Sequence, residues 1–182
     1  MIKKFYQNRI AMMFSAPMTL AAFAVFLVAF AMNSSKGKPW MRIVLIILGI
    51  VLAVLVFFYY KNKISTSLAL KKIRDIDEYL QGGAVDMSFI LEDRMLAGKG
   101  FQVSEKKTSG ITSMNVYEKG RKTIVALDGS EGPFEITAMG KEEAQRLCAF
   151  LKRKNPDMVS NIEPKGNGTL EELGAGAEIR TS

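Results

Sequence analysis

The chain has 182 residues, 48% of them hydrophobic, and a formal net charge of +7. It contains no histidine and a single cysteine, which excludes histidine-dependent catalytic triads, histidine-ligated zinc and an internal disulfide. The excess positive charge lies before Tyr60, where no acidic residue occurs. A nucleic-acid binder concentrates its charge on a folded domain, so the sequence predicts membrane topology and no nucleic-acid partner.

Two uncharged apolar segments, residues 11–32 and 43–60, follow a basic segment over residues 1–10. At 1.5 Å per residue the first makes a helix of roughly 33 Å, and a hydrocarbon core is about 30 Å thick. We therefore predict a transmembrane helix hairpin over residues 11–60.

The first apolar segment also has features of a signal peptide. Lys3 and Lys4 give it a basic start, and Ala29-Phe30-Ala31 resembles a small-x-small cleavage site. A signal h-region normally runs about 7–15 residues, and this stretch is longer. We expect it to be retained as a span.

Basic residues that flank the spans predict their orientation. The loop from Asn33 to Arg42 contains Lys36, Lys38 and Arg42. Eight basic residues lie on the opposite side: Lys3, Lys4, Arg9, Lys61, Lys63, Lys71, Lys72 and Arg74. The positive-inside bias predicts a two-pass protein of the cytoplasmic membrane with both termini in the cytosol.

Aromatic and basic residues at the ends of the second span are candidates for contact with the lipid bilayer. An aromatic ring at an interface keeps its polar edge in water, and each basic residue near anionic headgroups gains about 1 kcal/mol. The candidates are Trp40, Tyr59, Tyr60, Lys61, Lys63, Lys71, Lys72 and Arg74. The positive-inside bias alone also explains the basic residues, and we favour that explanation.

Gly49-x-x-x-Ala53 is a pair of small residues that permits close approach of a second helix. We favour packing of the two spans against each other at this pair, and the alternative is a homo-oligomer or a larger membrane partner. Neither span has a charged residue in its middle, which argues against an ion path.

The rest of the chain predicts a small α+β domain. Residues 61–83 have near-helical apolar spacing up to Gly82-Gly83, which predicts a juxtamembrane amphipathic helix. Residues 84–157 predict the domain itself. Its strand-like runs, separated by glycine-containing turns, are MSFILED, FQVSEKK, ITSMNVYEK, KTIVALD and PFEIT. The spacing favours an antiparallel meander or a partial barrel.

A C-terminal amphipathic helix over residues 141–154 is predicted to close this domain. Its apolar stripe consists of Ala144, Leu147, Cys148 and Leu151, and Cys148 there is expected to be a buried hydrophobe, not a nucleophile. Residues 158–182 contain few large apolar residues and predict a flexible tail.

The order of these elements resembles bacterial two-span membrane proteins with a cytosolic pleckstrin-homology-like (YcxB-like) domain. The segments that carry the resemblance are FILEDRML, GITSMNVYE and IVALDGSEGPFEITAMGKEEAQRLCAFLKRK, within residues 87–154. In such domains a final strand leads through a short polar link into the closing helix. The resemblance implies an architecture and a binding role more than an activity.

Four polar motifs have both a functional and a structural explanation, and we favour the structural one for each. Asp75-x-Asp77-Glu78 resembles a metal-binding motif, but helical positions i and i+2 point apart. Glu92-Asp93-Arg94 fits a local ion pair or a surface hairpin. Gly98-Lys99-Gly100 lacks the spacing of a phosphate-binding loop, and residues 119–122 fit a solvated turn. The sequence predicts no cofactor and no metal site.

Without a catalytic constellation, we expect a non-enzymatic binding or scaffold module that presents its domain at the inner membrane surface. Its partner is expected to be a protein or lipid headgroups. The alternatives are an accessory subunit of a larger membrane complex and, third, an enzyme acting on lipid or envelope precursors through Asp75, Asp77, Glu92 or Asp93.

Overall fold

The computed structural model of the chain describes residues 1–34 and 39–174. These residues form two compact units. Lys3–Leu68 make a helical unit, and residues 69–174, together with Met1–Ile2, make an α+β domain. Lys36 and Lys38, which entered the orientation prediction, lie outside the described residues.

The helical unit consists of two helices of 33 residues, α1 (Ile2–Ser34) and α2 (Pro39–Lys71). Both are long and apolar enough to cross a membrane. Each extends beyond its predicted apolar segment, so residues 2–10 of the basic segment are helical. α2 begins at Pro39, where proline is favoured because the first helical turn needs no amide donor.

The two helices pack as an antiparallel hairpin. The ring of Phe14, early in α1, meets the ring of Tyr59, late in α2, edge to face at 5.9 Å. Half-buried side chains recur every three and four residues on both helices, the spacing of left-handed helix packing. This seam includes Phe14, Met18, Ala21, Val25, Val28 and Met32 on α1, and Met41, Leu45, Leu48, Leu52, Leu55 and Tyr59 on α2.

The predicted helix over residues 61–83 is broken after Lys71. Asp75 has a left-handed conformation (φ 54°, ψ 46°), and a 3₁₀ helix follows over Ile76–Gln81. A left-handed residue cannot continue a right-handed helix, and aspartate is one of the few residues that adopt this conformation readily. The break allows Tyr79 to be fully buried in the α+β domain. The prediction of one continuous helix was wrong.

Within residues 69–174 the α+β domain contains eight strands, and the five predicted strand-like runs correspond to five of them. The strands are β1 (Gly83–Val85), β2 (Ser88–Ile90), β3 (Arg94–Lys99), β4 (Gln102–Lys107), β5 (Ile111–Lys119), β6 (Lys122–Gly129), β7 (Phe134–Ala138) and β8 (Val159–Ser160). The sequence did not predict β3. Four consecutive residues of this strand are buried, so the alternation that identifies a half-buried strand is missing.

The strands form two four-stranded sheets, ordered β1-β2-β3-β4 and β7-β6-β5-β8. All pairs are antiparallel except β5 with β8, which is parallel. Within the described residues the sheets do not close into a barrel. The structure thus confirms the predicted small α+β domain with mainly antiparallel sheets.

The core lies between the sheets and α3 (Lys141–Lys154). The predicted stripe of Ala144, Leu147, Cys148 and Leu151 is fully buried, and Phe150 joins it. The thiol of Cys148 lies 3.2 Å from the hydroxyl oxygen of Ser160. The prediction that Cys148 is a buried residue is confirmed.

Residues 158–174 belong to the folded domain. Met158 is 4% exposed, β8 pairs with β5, and α4 (Leu170–Gly174) places Leu173 beside Gly83 of β1 with 3% exposure. The prediction of a flexible tail was wrong for these residues, because Met158 and Leu173 enter the core and Ile162 and Leu170 pack against it. Residues 175–182 of the predicted tail lie outside the described residues.

Candidate functional site

The predicted aromatic interface residues lie at the two ends of the apolar part of α2. Trp40 and Tyr60 are exposed, whereas Tyr59 is half-buried in the seam with α1. Tyr60 lies twenty positions after Trp40, and at 1.5 Å per residue the two are roughly 30 Å apart along the helix. That spacing matches the thickness of a hydrocarbon core of about 30 Å.

The predicted basic interface residues follow Tyr60 along α2 and the link after it. The Nζ of Lys63 lies 3.3 Å from the hydroxyl of Tyr59, one turn earlier, and 5.4 Å from its ring centroid. Lys63 therefore extends along the helix surface, as a basic side chain beside an apolar segment is expected to do. The other basic residues, all exposed, are Lys61, Lys71, Lys72 and Arg74.

Gly49 and Ala53 lie on the outer face of α2. Both are exposed, and a Cβ atom added to Gly49 would meet nothing within 4 Å. The seam with α1 passes instead through Leu48 and Leu52, each one residue earlier and so rotated by about 100° around the helix. The expectation that this small pair lines the contact between the two spans was wrong.

A polar cluster attaches the 3₁₀ helix to the first sheet. The hydroxyl of Tyr79 donates a hydrogen bond to Glu105 on β4 at 2.8 Å, and the guanidinium of Arg94 on β3 lies 5.7 Å from the Tyr79 ring centroid. Arg94 also pairs with Glu78, and it lies 3.7 Å from Glu105. Burial, and then the hydrogen bond to Glu105, raise the pKa of Tyr79 far above its ordinary value.

This Tyr79 cluster (Glu78, Tyr79, Arg94 and Glu105) contains one residue from each of two candidate motifs, the acidic motif before Tyr79 and the Glu92-Asp93-Arg94 motif. Arg94 forms ion pairs, as favoured for its motif, while Glu78 of the acidic motif neutralises Arg94. Asp75 lies in the left-handed turn before the 3₁₀ helix. Within residues 1–34 and 39–174, no group of three or more acidic or cysteine side chains is placed to hold a metal ion.

We expect the Tyr79→Phe variant to flatten the alkaline pH dependence of unfolding. The folded state holds the Tyr79 proton, whereas an unfolded tyrosine loses it near pH 10. Tyr79 therefore contributes stability that is complete below about pH 10 and falls above it, by up to about 1.4 kcal/mol per pH unit. Denaturant unfolding of both proteins in detergent from pH 7 to 11 tests this. Parallel curves at high pH would contradict it.

Glu92 connects the β2–β3 turn to the end of α3. Its carboxylate accepts hydrogen bonds from Arg153 at 3.0 and 3.2 Å and also pairs with Lys154. Lys154, and then Arg153, lower the pKa of Glu92 below its ordinary value. Because Glu92 is half exposed, solvent screens these pairs and they fit a structural role.

The two glycine-containing motifs lie in hairpins. Gly100 (φ +58°) turns between β3 and β4, and Gly120 (φ +64°) turns between β5 and β6. Lys99 pairs with Glu135 on β7. Residues 119–122 are all exposed, so the prediction of a solvated turn is confirmed.

The surface of the α+β domain has several open clefts lined mainly by polar residues. One of 450 Å³ lies between Arg94, Lys107 and Glu131, and one of 520 Å³ lies over Asn115 and Glu135. A third, of 310 Å³, lies beside α3 at Arg146. Comparisons with protein-family models, with curated proteins and with solved structures found no match for this chain.

Proposed function

We propose that the chain is a non-enzymatic, membrane-anchored binding module. Two spans hold a small α+β domain at the inner surface of the cytoplasmic membrane, where the domain binds a protein partner or lipid headgroups. The observation that carries the proposal is the hairpin itself, which exposes large apolar side chains on its outer surface and continues within four residues into a folded domain. Examples of these exposed side chains are Phe23, Phe26, Ile46, Ile50 and Phe57.

The strand order supports a binding role. Four antiparallel strands, β1–β4, precede three antiparallel strands, β5–β7, and the amphipathic helix α3 follows directly. This order is similar to that of pleckstrin-homology-like domains, whose common role is binding. β8 and α4 are additions after the closing helix.

Basic residues on the flanks of the helices support the proposed orientation. The chain between the spans is short, so the positive-inside bias applies to it. A C-terminal tag, probed with protease in sealed vesicles of both orientations, tests the topology. We expect cleavage only when the cytosolic face is outside, and cleavage from the opposite face would overturn the orientation.

Affinity purification from native membranes in mild detergent tests the binding role. The full chain is compared with a hairpin variant that ends at Lys71, which lacks the rest of the domain. We expect the full chain to retain a protein or lipid that the hairpin does not. Identical recovery on both would contradict the proposal. Turnover of a substrate by the purified protein, at a rate abolished by one point mutation, would also contradict it.

One observation favours a second candidate function, an accessory subunit of a larger membrane complex. Gly49 and Ala53 form a small-residue face that the hairpin leaves free, and such a face permits close approach of a partner helix.

We expect Ala53→Leu to lower recovery of a stoichiometric membrane partner about tenfold, because the added bulk separates the helices. Ala22→Leu is the matched control, since Ala22 is also exposed and lies on α1 away from the seam. Quantitative crosslinking in native membranes measures both variants. Equal recovery from the two would remove the subunit hypothesis.

A further inference from the structure

The 310 Å³ cleft lies where α3 meets the loop before α4. Its lining consists of Glu142 and Arg146 from α3, Lys165 and Gly166 from the loop, and Glu172 from α4. Two cations and two carboxylates therefore face one small space. Which of these charges are already neutralised decides what the cleft can bind.

Both carboxylates already have partners. Glu172 accepts hydrogen bonds from the backbone N–H groups of Asn167 and Gly168, each at 3.0 Å. Glu142 accepts one from the Nζ of Lys165 at 2.9 Å, and this bond is the main cause of the lowered pKa of Glu142. The oxygens of Glu172 are thus occupied by two backbone donors, although its negative charge remains, and Glu142 is paired with Lys165.

Arg146 has no direct hydrogen-bond partner at its Nε, although its charge contributes to the lowered pKa of Glu142. This Nε is buried, and within residues 1–34 and 39–174 the Arg146 guanidinium forms no ion pair. A buried donor without an acceptor is uncommon in native proteins and indicates an absent water or ligand. The planar guanidinium offers paired donors that match the geometry of a phosphate or carboxylate.

Lys165 lines the same cleft and can act as a second donor to a bound anion. Its ion pair with Glu142 is largely exposed on both sides, and exposed pairs are weak. The Lys165 ammonium can therefore leave Glu142 for a more highly charged anion in the cleft without a large loss.

We propose that this cleft binds an oxyanion, a phosphate or carboxylate group, with Arg146 as its principal donor and Lys165 as its second. The inference rests on the proposed binding role of the domain and names a ligand class for it. The source of the group is either a lipid headgroup or a small soluble molecule.

Titrations of the ¹⁵N-labelled full chain in detergent test the site. The probes are inorganic phosphate, acetate and the short-chain lipid dihexanoyl phosphatidic acid, and the readouts are the Arg146 Nε–H and the amides of residues 165–168. We expect saturable shifts with at least one probe and a dissociation constant of about 1–10 mM for a free ion. Saturation by the lipid alone identifies a headgroup, and saturation by the free ions identifies a soluble source.

Variants then identify the donor. We expect Arg146→Gln to weaken binding about tenfold or more and Arg146→Lys to restore part of it, because lysine keeps the charge but loses the paired donors. Arg121→Gln is the matched control, since Arg121 is exposed in the β5–β6 turn. A folded amide spectrum for each variant separates loss of binding from loss of fold.

Two results would overturn the inference. One is the absence of saturable shifts with all three probes, and the other is equal weakening by Arg146→Gln and Arg121→Gln, which would show non-specific charge attraction. The affinity purification is independent of this test. If no oxyanion binds but the full chain still retains a partner that the hairpin lacks, the cleft inference fails and the proposed function stands.

Discussion

A chain that ends at Asp157 is expected to lose the folded α+β domain, although the removed residues look like a polar tail. The truncation removes two core side chains, Met158 and Leu173, and two that pack against the core, Ile162 and Leu170. Full burial of such a side chain contributes about 1.5–3 kcal/mol. The summed loss is roughly 5 kcal/mol or more, comparable with the whole stability of a small domain.

Hydrogen bonds are lost in the same truncation. The Asn161 side chain accepts from the Val116 N–H at 2.8 Å and donates to its carbonyl at 2.9 Å, which covers the edge of β5 beyond β8. Without Asn161, the N–H and C=O groups of Val116 are unpaired at a sheet edge, and unpaired edge groups favour aggregation.

Pulse proteolysis in detergent measures the truncation effect. The matched control ends at Gly174, which removes residues 175–182 and keeps every contact described for the domain. We expect the control to resist cleavage like the full chain and the Asp157 truncation to be cleaved without denaturant. Equal resistance of the two truncations would show that residues 158–174 do not stabilise the domain.

We expect Gly129→Ala to cost about 3 kcal/mol of unfolding free energy. A Cβ on Gly129 would lie 2.0 Å from the carbonyl oxygen of Gly110 and 2.9 Å from the Cα of Ile111. These neighbours are backbone atoms, so relief requires β5 and β6 to separate where Ile111 pairs with Gly129. Insertion of a group into a packed region typically costs 1–3 kcal/mol, and backbone cannot rotate away as a side chain can.

Gly174→Ala is the control for this substitution. A Cβ there meets nothing within 4 Å, and Gly174 ends α4, where alanine is the better helix former. Denaturant unfolding of the full chain should show a lower midpoint for Gly129→Ala and an unchanged or slightly higher one for Gly174→Ala. If Gly129→Ala left the midpoint unchanged, the close approach of β5 and β6 would be wrong.

Several features followed from the sequence because they depend on neighbouring residues alone. Each apolar segment contains no charge over the length of a membrane span, and that property is local. The same holds for the Gly120 turn, since only a few residue types adopt positive φ there. The stripe of α3 follows from the 3.6-residue period, which placed Leu147 and Cys148 in the core before any partner was known.

Other features depended on residues far apart in the chain. Arg94 pairs across three elements, with Glu78 before it and Glu105 after it, and no spacing in the sequence joins these residues. The Arg146 cleft likewise depends on where the loop near Lys165 returns to α3. Glu78 and Arg94 each belong to a motif seen in the sequence, but no spacing relates them to each other. Nor does any spacing relate Arg146 to Lys165, so neither cluster was predicted.

The sequence by itself determined that this protein has two apolar helices joined to a small α+β domain. Hydropathy, turn residues and helix periodicity all depend on residues that are close together in the chain. Only the tertiary structure decided which face of α2 meets α1, since Leu48 and Gly49 both suit a helix interface and only Leu48 lies among the half-buried residues of the seam. It also decided that residues 158–174 fold, because their burial requires surfaces that β1, β5 and α3 create together. Burial against distant partners is a property of the assembled fold.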